Sequence, residues 1–256
     1  MNTRDLTRLV CAALASVSVM LEAQANQGGV PAQGRGQPQG RGQASDEANR
    51  GKVDQVKAGQ EGFVTIFDGT SMDGWDFYLE PGHEKKADAF FLEAGALACK
   101  GYGYHWFRYL EPQGDCVLRL EFKTAKETNS GICLRSAAAG APPFTGFEIQ
   151  IADDFGQDPG KHTTGAVYDI VTPMYNASKP PGEWNEMEIT CRGAQCIVVL
   201  NGLKVIDADF SKLTKPIGKF DFPYANLPAS GYIALQDHWT PIWYRNIRLK
   251  TVGGRQ

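Results

Sequence analysis

The sequence predicts an all-β domain of the β-sandwich or jelly-roll class. From about residue 62 to residue 252, short runs rich in valine, isoleucine, leucine and aromatic residues are separated by glycine, proline, asparagine and aspartate. Within these runs apolar and polar residues alternate, which is the period of a strand with one buried face. Almost no helical periodicity interrupts them. About ten short strands of this kind are typical of a sandwich or jelly roll.

The individual strands are recognised by their alternation. Apolar residues occupy every second position in segments around Leu120, Ile149, Ile189, Ile233 and Ile247. Residues 197–200 are apolar on both faces and predict a central strand. An Asn-Gly pair follows at 201–202 and predicts a tight hairpin turn.

One predicted strand, residues 147–151, has a polar face that suggests a binding groove. Its three apolar residues form a face suited to the core, whereas Glu148 and Gln150 share the opposite face. A carboxyl group and an amide side by side on a sheet suggest a carbohydrate groove. An ordinary solvated face is the alternative.

The N-terminal residues predict export of the protein. A basic start with Arg4 and Arg8 precedes an apolar run over residues 9–21, and Ala-Gln-Ala at 23–25 fits a signal-peptidase site. We therefore expect residues 1–25 to be a signal peptide and the mature protein to be periplasmic or extracellular.

Two further regions follow the predicted signal peptide. Residues 26–58 are of low complexity and rich in glycine, glutamine and arginine, so we expect a disordered linker. The globular domain is predicted to span residues 59–252, and no later stretch is long and apolar enough for a membrane helix. The net charge of −3 and the absence of a basic stripe argue against nucleic acid as a partner.

The cysteines leave the redox state open. The chain has six cysteines, and the five that follow Cys11 would remain in the mature protein. Cys191 and Cys196 flank a predicted hairpin turn, so they can lie opposite each other across two strands. A disulfide between them and a pair of buried thiols are both compatible with this pattern. No Cys-x-x-Cys pair is present, which argues against a thiolate zinc site.

Seven segments, in order along the chain, carry a resemblance to one known family. They are Phe-Val-Thr-Ile-Phe-Asp-Gly-Thr-Ser-Met-Asp-Gly-Trp at 63–75, Asn-Ser-Gly-Ile-Cys-Leu-Arg at 129–135, Gly-Phe-Glu-Ile-Gln-Ile at 146–151, Thr-Gly-Ala-Val-Tyr at 164–168, Lys-Pro-Pro-Gly-Glu-Trp-Asn at 179–185, Gly-Tyr-Ile-Ala-Leu-Gln-Asp-His at 231–238 and Trp-Tyr-Arg-Asn-Ile-Arg at 243–248. Over roughly residues 62–251 the chain thus resembles the 3-keto-disaccharide hydrolase domain family.

The resemblance implies both a fold and an activity. The fold would be a concanavalin A-like lectin/glucanase β-sandwich. The activity would be cleavage of 3-keto-glycosides, as a 3-keto-glucoside 1,2-lyase and 3-keto-2-hydroxy-glucal hydratase. The chain departs from the family pattern at Trp239, where glycine is common after the histidine, and in an expanded loop at residues 214–226.

The residue pattern suits a 3-keto substrate better than an ordinary glycoside. Ordinary glycosidases need two carboxyl groups, and the polar face of the 147–151 strand offers only Glu148. A ketone at C3 acidifies the proton on C2, so one base can start an elimination that expels the C1 substituent, after which water adds back. This chemistry needs a base, a group that stabilises the enolate oxygen and an acid for the leaving oxygen.

Glu148, His238 and Asp237 are the predicted catalytic residues, and Arg135 is predicted to bind the substrate. If the neighbouring apolar residues face the core, Arg135 and His238 face the groove and Asp237 points inward or sideways. A β-bulge in either strand would reverse this assignment. A structural ion pair is the alternative for Glu148 and Arg135. A hydrogen-bonded position at a strand end or turn is the alternative for His238 and Asp237.

Six more residues are predicted to contact the sugar. They are Tyr104, Trp106, Asn129, Gln150, Gln236 and Trp239. The amide side chains can hydrogen-bond to sugar hydroxyl groups, and the aromatic rings suit the C–H face of a sugar. Packing against the protein itself is the alternative for both kinds of side chain.

The expected partner is an oxidised, 3-keto carbohydrate. A divalent cation could stabilise the enolate in place of a side chain, and no organic cofactor is expected. Two rival hypotheses stay open. One is a non-catalytic carbohydrate-binding module of the lectin-like fold, and the other is a conventional glycosidase, which requires a second carboxyl group in the groove.

Overall fold

The computed structural model describes residues 62–253. The predicted signal peptide at 1–25 lies outside the described residues, as does the predicted linker at 26–58. The strands are β1 (Val64–Phe67), β2 (Trp75–Leu79), β3 (Phe90–Glu93), β4 (Ala96–Cys99), β5 (His105–Tyr109), β6 (Cys116–Thr124), β7 (Asn129–Ser136), β8 (Phe147–Ala152), β9 (Trp184–Arg192), β10 (Gln195–Leu200), β11 (Leu203–Asp209), β12 (Tyr232–Asp237) and β13 (Ile242–Thr251).

Helical structure is scarce in the part of the chain that the structure describes. It consists of one short α-helix, α1 (Pro142–Thr145), and two 3₁₀ turns, Phe210–Lys212 and Tyr224–Asn226. None of these is long and apolar enough to cross a lipid bilayer.

The strands form two antiparallel sheets that pack face to face as a sandwich. The five-stranded front sheet has the order β2-β5-β12-β7-β8. The eight-stranded back sheet has the order β11-β10-β9-β6-β13-β4-β3, and β1 pairs with β13. The predicted fold class, an all-β concanavalin A-like sandwich, is confirmed.

Alternation along β8 fixes which face of the front sheet is free. Phe147, Ile149 and Ile151 belong to the core cluster between the sheets and are fully buried. Each such side chain contributes about 1.5–3 kcal/mol when it leaves water. Glu148 and Gln150 must therefore point to the outer face of the front sheet.

The two predicted hairpin turns are present. Asn201 and Gly202 connect β10 to β11 with φ angles of 50° and 83°, the left-handed region that this turn requires. In the β9–β10 hairpin, Cys191 lies opposite Cys196. Cys191 also lies opposite Cys116 on β6. All three side chains are buried free thiols. Of the two alternatives that the sequence allows, the structure therefore has buried thiols and not a Cys191–Cys196 disulfide.

A β-bulge interrupts β7 near its end. The backbone at Arg135 has a φ of 54°. The register between β7 and β12 shifts between the pair Cys133–Ala234 and the pair Ser136–Tyr232. The regular alternation that orients the first part of β7 therefore stops before Arg135.

The bulge makes the predicted groove position of Arg135 wrong. The guanidinium group donates from Nη1 to the carbonyl oxygen of Gly193, at 2.8 Å, and from Nη2 to Oδ1 of Asp115, at 3.2 Å. Gly193 is in the β9–β10 turn of the back sheet. Arg135 thus ties the two sheets together instead of facing a sugar.

Candidate functional site

A row of side chains crosses the outer face of the front sheet. Glu148 on β8 lies opposite Cys133 on β7, which lies opposite Ala234 on β12. Ala234 in turn lies opposite Arg108 on β5. The two middle side chains are small and fully buried, and they form a second apolar cluster with Trp106. We call this outer face, with the walls described below, the groove.

The carboxyl group of Glu148 occupies the space above Gly131 on the neighbouring strand. A Cβ atom built on Gly131 would overlap Oε1 of Glu148 and would lie 2.6 Å from its Cδ. The side chain is only 3% exposed. No hydrogen-bond partner for its oxygens is found among residues 62–253. The carboxyl group is therefore shielded from water and has no hydrogen-bond partner in the described part of the chain.

Burial raises the pKa of Glu148 to about 8, because the ionised form loses its hydration. The positive charge of Lys219 opposes this shift, and the negative charge of Glu80 adds to it. At neutral pH Glu148 is therefore mostly protonated and able to donate a proton.

Amide side chains line the groove beside Glu148. Gln150 donates from Nε2 to Oδ1 of Asn129 at 2.9 Å, while its Oε1 is buried without a partner. Gln236 on β12 lies opposite Trp106 on β5. Gln150 therefore has a free acceptor for a ligand hydroxyl group, and the sugar contacts of Asn129, Gln150 and Gln236 stay predictions.

His238 follows β12 directly and is half-buried. Burial lowers the pKa of His238 below its usual value of 6.5, since the imidazolium form would lose its hydration. Its Nδ1 is buried and has no hydrogen-bond partner in the described structure. At neutral pH the ring is uncharged and able to accept a proton.

Two charged residues of the groove are missing from the sequence-based prediction. Glu80 follows β2 and accepts a hydrogen bond at 2.9 Å from Nε1 of Trp106. Lys219 donates from Nζ to the hydroxyl of Tyr168 at 2.8 Å. No motif marks Glu80 or Lys219, because their neighbours in sequence have no catalytic pattern.

Glu80 and Lys219 both act electrostatically on Glu148 and on His238. The charge of Glu80 raises the pKa values of both Glu148 and His238. The charge of Lys219 lowers both. Glu148 and His238 therefore share the same two charged neighbours.

One end of the groove is closed by the segment that precedes α1. The hydroxyl of Tyr78 donates to the carbonyl oxygen of Gly140 at 2.9 Å. Arg108 donates from Nη1 to the carbonyl oxygen of Ala138 at 2.8 Å. Arg108 is also held by both carboxyl oxygens of Asp76, at 3.0 and 2.6 Å. Residues 138–140 thus cover the end of the groove at β2 and β5.

Asp237 is not in the groove, so its predicted catalytic role is corrected. Its side chain is completely buried, and Oδ2 accepts a hydrogen bond from the backbone N–H of Tyr102 at 3.1 Å. The same oxygen is 4.0 Å from Nδ1 of His105. Burial raises the pKa of Asp237. Its position in β12 turns it to the face opposite Gln236, where it anchors the loop before β5.

The three predicted aromatic contacts differ in their exposure. Trp106 is 1% exposed and forms the floor of the groove, so the prediction that it stacks on a sugar is wrong. Tyr104 and Trp239 are 38% and 55% exposed at the rim. Their φ angles are 60° and 64°. This left-handed conformation costs a non-glycine residue about 1–2 kcal/mol.

The described residues do not form an obvious metal centre. Between residues 62 and 253, no group of three or more histidine, cysteine, aspartate or glutamate side chains is arranged to hold an ion. The divalent cation therefore stays a prediction.

Comparison with known proteins gives a consistent result. The family described as the 3-keto-alpha-glucoside-1,2-lyase-like domain matches residues 62–250. The chain is also similar to the 3-keto-disaccharide hydrolase of Bacteroides thetaiotaomicron. The two are 23% identical over 245 residues, which cover 77% of this chain and 81% of the relative.

Solved structures resemble the whole described domain. A proposed glycosyl hydrolase from Parabacteroides distasonis is 28% identical, with a TM-score of 0.64, over 74% of this chain and 99% of that one. A second proposed glycosyl hydrolase from the same organism is 23% identical, with a TM-score of 0.65, over 77% of this chain and 97% of that one. The second likeness concerns the fold alone.

Proposed function

Because the chain belongs to the family of 3-keto-alpha-glucoside-1,2-lyase-like domains, we propose that it is an enzyme that cleaves 3-keto-glycosides in the groove. In the proposed reaction the C2 proton is removed, the C1 substituent leaves and water adds to the resulting unsaturated ketone. The net result is hydrolysis of the glycosidic bond.

One observation carries this proposal. The unpaired carboxyl group of Glu148, the free Oε1 of Gln150 and the free Nδ1 of His238 all belong to one groove. Buried polar groups normally have hydrogen-bond partners. Three unpartnered groups together support a polar ligand such as a sugar, and two of them have the protonation states that an elimination needs.

The proposed elimination uses His238 as base and Glu148 as acid. Neutral His238 accepts the C2 proton, and the electron pair of that C–H bond forms an enolate with the C3 carbonyl. The enolate then restores the ketone and forms the C1–C2 double bond as the C1–O bond breaks. Glu148 donates its proton to the departing oxygen. This assignment follows from the lowered pKa of His238 and the raised pKa of Glu148.

The proposed hydration reverses these proton transfers. Water adds its hydroxyl group to C1 and gives a proton to the carboxylate of Glu148. The imidazolium of His238 returns its proton to C2. Both side chains are then in their starting forms, so one turnover consumes one water molecule.

Lys219 is the proposed stabiliser of the enolate oxygen. Negative charge develops on the C3 oxygen when the C2 proton leaves, and a nearby cation stabilises it. Lys219 acts electrostatically on both Glu148 and His238, and its Nζ is held by the hydroxyl of Tyr168 at 2.8 Å. Among the described residues, Lys219 is the cation that we consider best suited to stabilise the enolate oxygen.

Glu80 supports a second candidate function. The conventional glycosidase hypothesis requires two carboxyl groups, and Glu80 acts on the pKa of Glu148 from the same groove. Its hydrogen bond with Trp106 holds it on the β2 side. We rank this candidate second, because the family match favours the oxidised sugar.

A substrate comparison tests these proposals. The purified protein is offered 3-keto-trehalose and a 3-keto aryl glucoside beside their unoxidised parents, with and without a chelator. Product is expected only from the keto sugars. Release from the parents would favour the Glu80–Glu148 glycosidase, and saturable binding without release would favour a binding module. Loss of turnover on chelation would reveal a required cation.

We also propose that the enzyme acts outside the cytoplasm. This rests on the signal-peptide pattern of residues 1–25 in the sequence. Cell fractionation and N-terminal sequencing test it, with a mature terminus expected near Asn26. A full-length protein that stays in the cytoplasmic fraction would contradict it.

A further inference from the structure

We propose that Trp239, Tyr104 and His83 form a binding surface for the ring of the leaving group, so that the enzyme prefers substrates in which a terminal 3-keto sugar is linked to a second sugar or an aryl ring. This inference rests on the proposed function and adds a location for the leaving group. Its basis is an exposed group of rings at the open end of the groove.

The rings form a continuous series that starts at the proposed base. The ring centroids of His238 and Trp239 are 6.5 Å apart. Trp239 meets Tyr104 edge-to-face at 5.2 Å, and Tyr104 stacks on His83 at 3.6 Å. A ligand that extends from His238 towards solvent therefore passes over aromatic rings.

The closed end of the groove determines which part of the substrate lies over these rings. Residues 138–140 cover the groove at Arg108 and Tyr78. A chain of sugars that extended in that direction would meet this segment. The oxidised sugar therefore occupies the groove beside Glu148, and the group attached to its C1 extends towards Trp239.

The backbone holds these rings in a fixed position. Oδ2 of Asp237 accepts from the N–H of Tyr102, and Nδ1 of His105 donates to the carbonyl oxygen of Gly103 at 2.7 Å. A Cβ atom on Gly103 would lie 2.7 Å from the indole of Trp239. The turn that bears Tyr104 is therefore tied to β12 and packs directly under Trp239.

The conformation of the two exposed rings points to a function. Tyr104 and Trp239 both have left-handed backbones, a conformation that favours glycine. Trp239 is more than half exposed, so the core does not require its indole. Strained residues that are not needed for packing occur preferentially at binding sites. An amphipathic ring with an apolar face is the ligand that flat aromatic side chains accept.

The test compares leaving groups with and without a ring. Trp239→Gly removes the indole at a backbone position that glycine adopts without strain, so the variant is expected to fold. KM for phenyl 3-keto-glucoside should rise about tenfold. KM for methyl 3-keto-glucoside should stay unchanged, and kcat should stay unchanged for both, because only binding of the ring is lost.

Trp243→Phe is the matched control. Trp243 is on β13 of the back sheet, where its Nε1 donates to Glu93 at 2.6 Å. Its replacement should therefore leave KM unchanged for both the phenyl and the methyl substrate. An equal rise in KM for the phenyl and methyl substrates of Trp239→Gly would overturn the inference. So would an unchanged KM for both.

A binding measurement separates this inference from the proposed reaction. Phenyl glucoside and methyl glucoside, both unoxidised, are titrated by saturation-transfer NMR. The inference is supported if the wild-type protein prefers the phenyl compound and the Trp239→Gly variant does not. This holds even if the wild-type protein turns over no keto sugar. Failure of the wild-type protein to prefer the phenyl compound would overturn the inference even if 3-keto sugars are cleaved.

Discussion

At the residue scale, the two titratable groups of the groove have opposite pKa shifts. Burial lowers the pKa of His238 and raises the pKa of Glu148 to about 8. Loss of hydration disfavours the charged form in both cases, and that form is the acid of histidine but the base of glutamate. One physical cause thus gives a neutral base and a neutral acid at the same pH.

This pair predicts a bell-shaped pH profile for kcat/KM. Activity should rise as pH passes upward through the lowered pKa of His238, because the base becomes free. It should fall again near pH 8, because Glu148 loses the proton that it donates. Initial rates on a 3-keto aryl glucoside between pH 5 and pH 9 measure the profile. A rate that still climbs between pH 8 and pH 9 would contradict the assignment of Glu148 as acid.

Glu148→Gln should lower activity and raise stability at alkaline pH. Loss of a general acid lowers kcat by about 10²–10⁴-fold. The pKa of Glu148 is 4.5 in the unfolded chain and about 8 in the folded protein. Unfolding therefore releases a proton in this window, and the free energy of unfolding falls by about 1.4 kcal/mol per pH unit as pH rises.

Urea unfolding at pH 4 and pH 9 measures this effect. The variant should be more stable than the wild-type protein at pH 9, with the difference close to zero at pH 4. Glu186→Gln, at an exposed position of β9, is the control and should change neither activity nor stability. If the difference in stability between the variant and the wild-type protein is the same at pH 9 as at pH 4, the pKa of Glu148 is not raised.

Asp237→Asn distinguishes a positioning role from the catalytic role that the sequence predicts. The amide keeps an oxygen that can accept from the N–H of Tyr102. We expect kcat to change by less than about threefold, whereas KM for substrates with a ring in the leaving group rises. A catalytic carboxylate would instead cost about 10²-fold or more in kcat. Steady-state kinetics with phenyl and methyl 3-keto-glucosides separate the two outcomes.

At the scale of the element, the pairing of β7 with β8 places a glycine of β7 next to the carboxyl group of Glu148, and the glycine leaves room for that group. Gly131 is directly beneath the carboxyl group of Glu148. Gly131→Ala should displace that group and lower kcat by about 10²-fold, the loss of a positioned acid. Near-ultraviolet circular dichroism and the melting temperature should show a folded protein. Gly114→Ala is the control, because its added Cβ would make only an ordinary contact of 3.7 Å with the carbonyl oxygen of Ala229, and it should change neither activity nor stability.

The elements also show where sequence reasoning stops. Alternation correctly orients Glu148 and Gln150, because hydrophobic burial fixes the register of β8. It fails at Arg135, because a bulge depends on how β7 pairs with β12, which the local sequence does not encode. The sequence does not mark Lys219 for a related reason: it reaches the groove from a loop, and only the folded chain brings it there.

At the scale of the molecule, the fold class follows from the sequence but the sheet order does not. Short alternating runs and turn residues suffice to predict two packed sheets. Which strands become neighbours depends on contacts between distant segments, such as β2 with β5 and β6 with β13. That order brings Glu80 to the groove, so a second carboxyl group could not be found from the 147–151 strand alone.

The closed core predicts unreactive thiols. The cysteines at 99, 116, 133, 191 and 196 are buried and free. Burial raises the pKa values of Cys99 and Cys133, so little reactive thiolate forms. Ellman's reagent should titrate close to none of them in the native protein and all five in denaturant, once residues 1–25 are removed. Only three in denaturant would indicate a disulfide, with Cys191–Cys196 the first pair to examine.

The cover that residues 138–140 form over one end of the groove has a consequence for polymeric substrates. An enzyme that admits a sugar only from one side must begin at a chain terminus and release one monosaccharide per event. Its initial rate on a polysaccharide then scales with the number of oxidised ends per gram. Branching should accelerate degradation, whereas lengthening each branch should not.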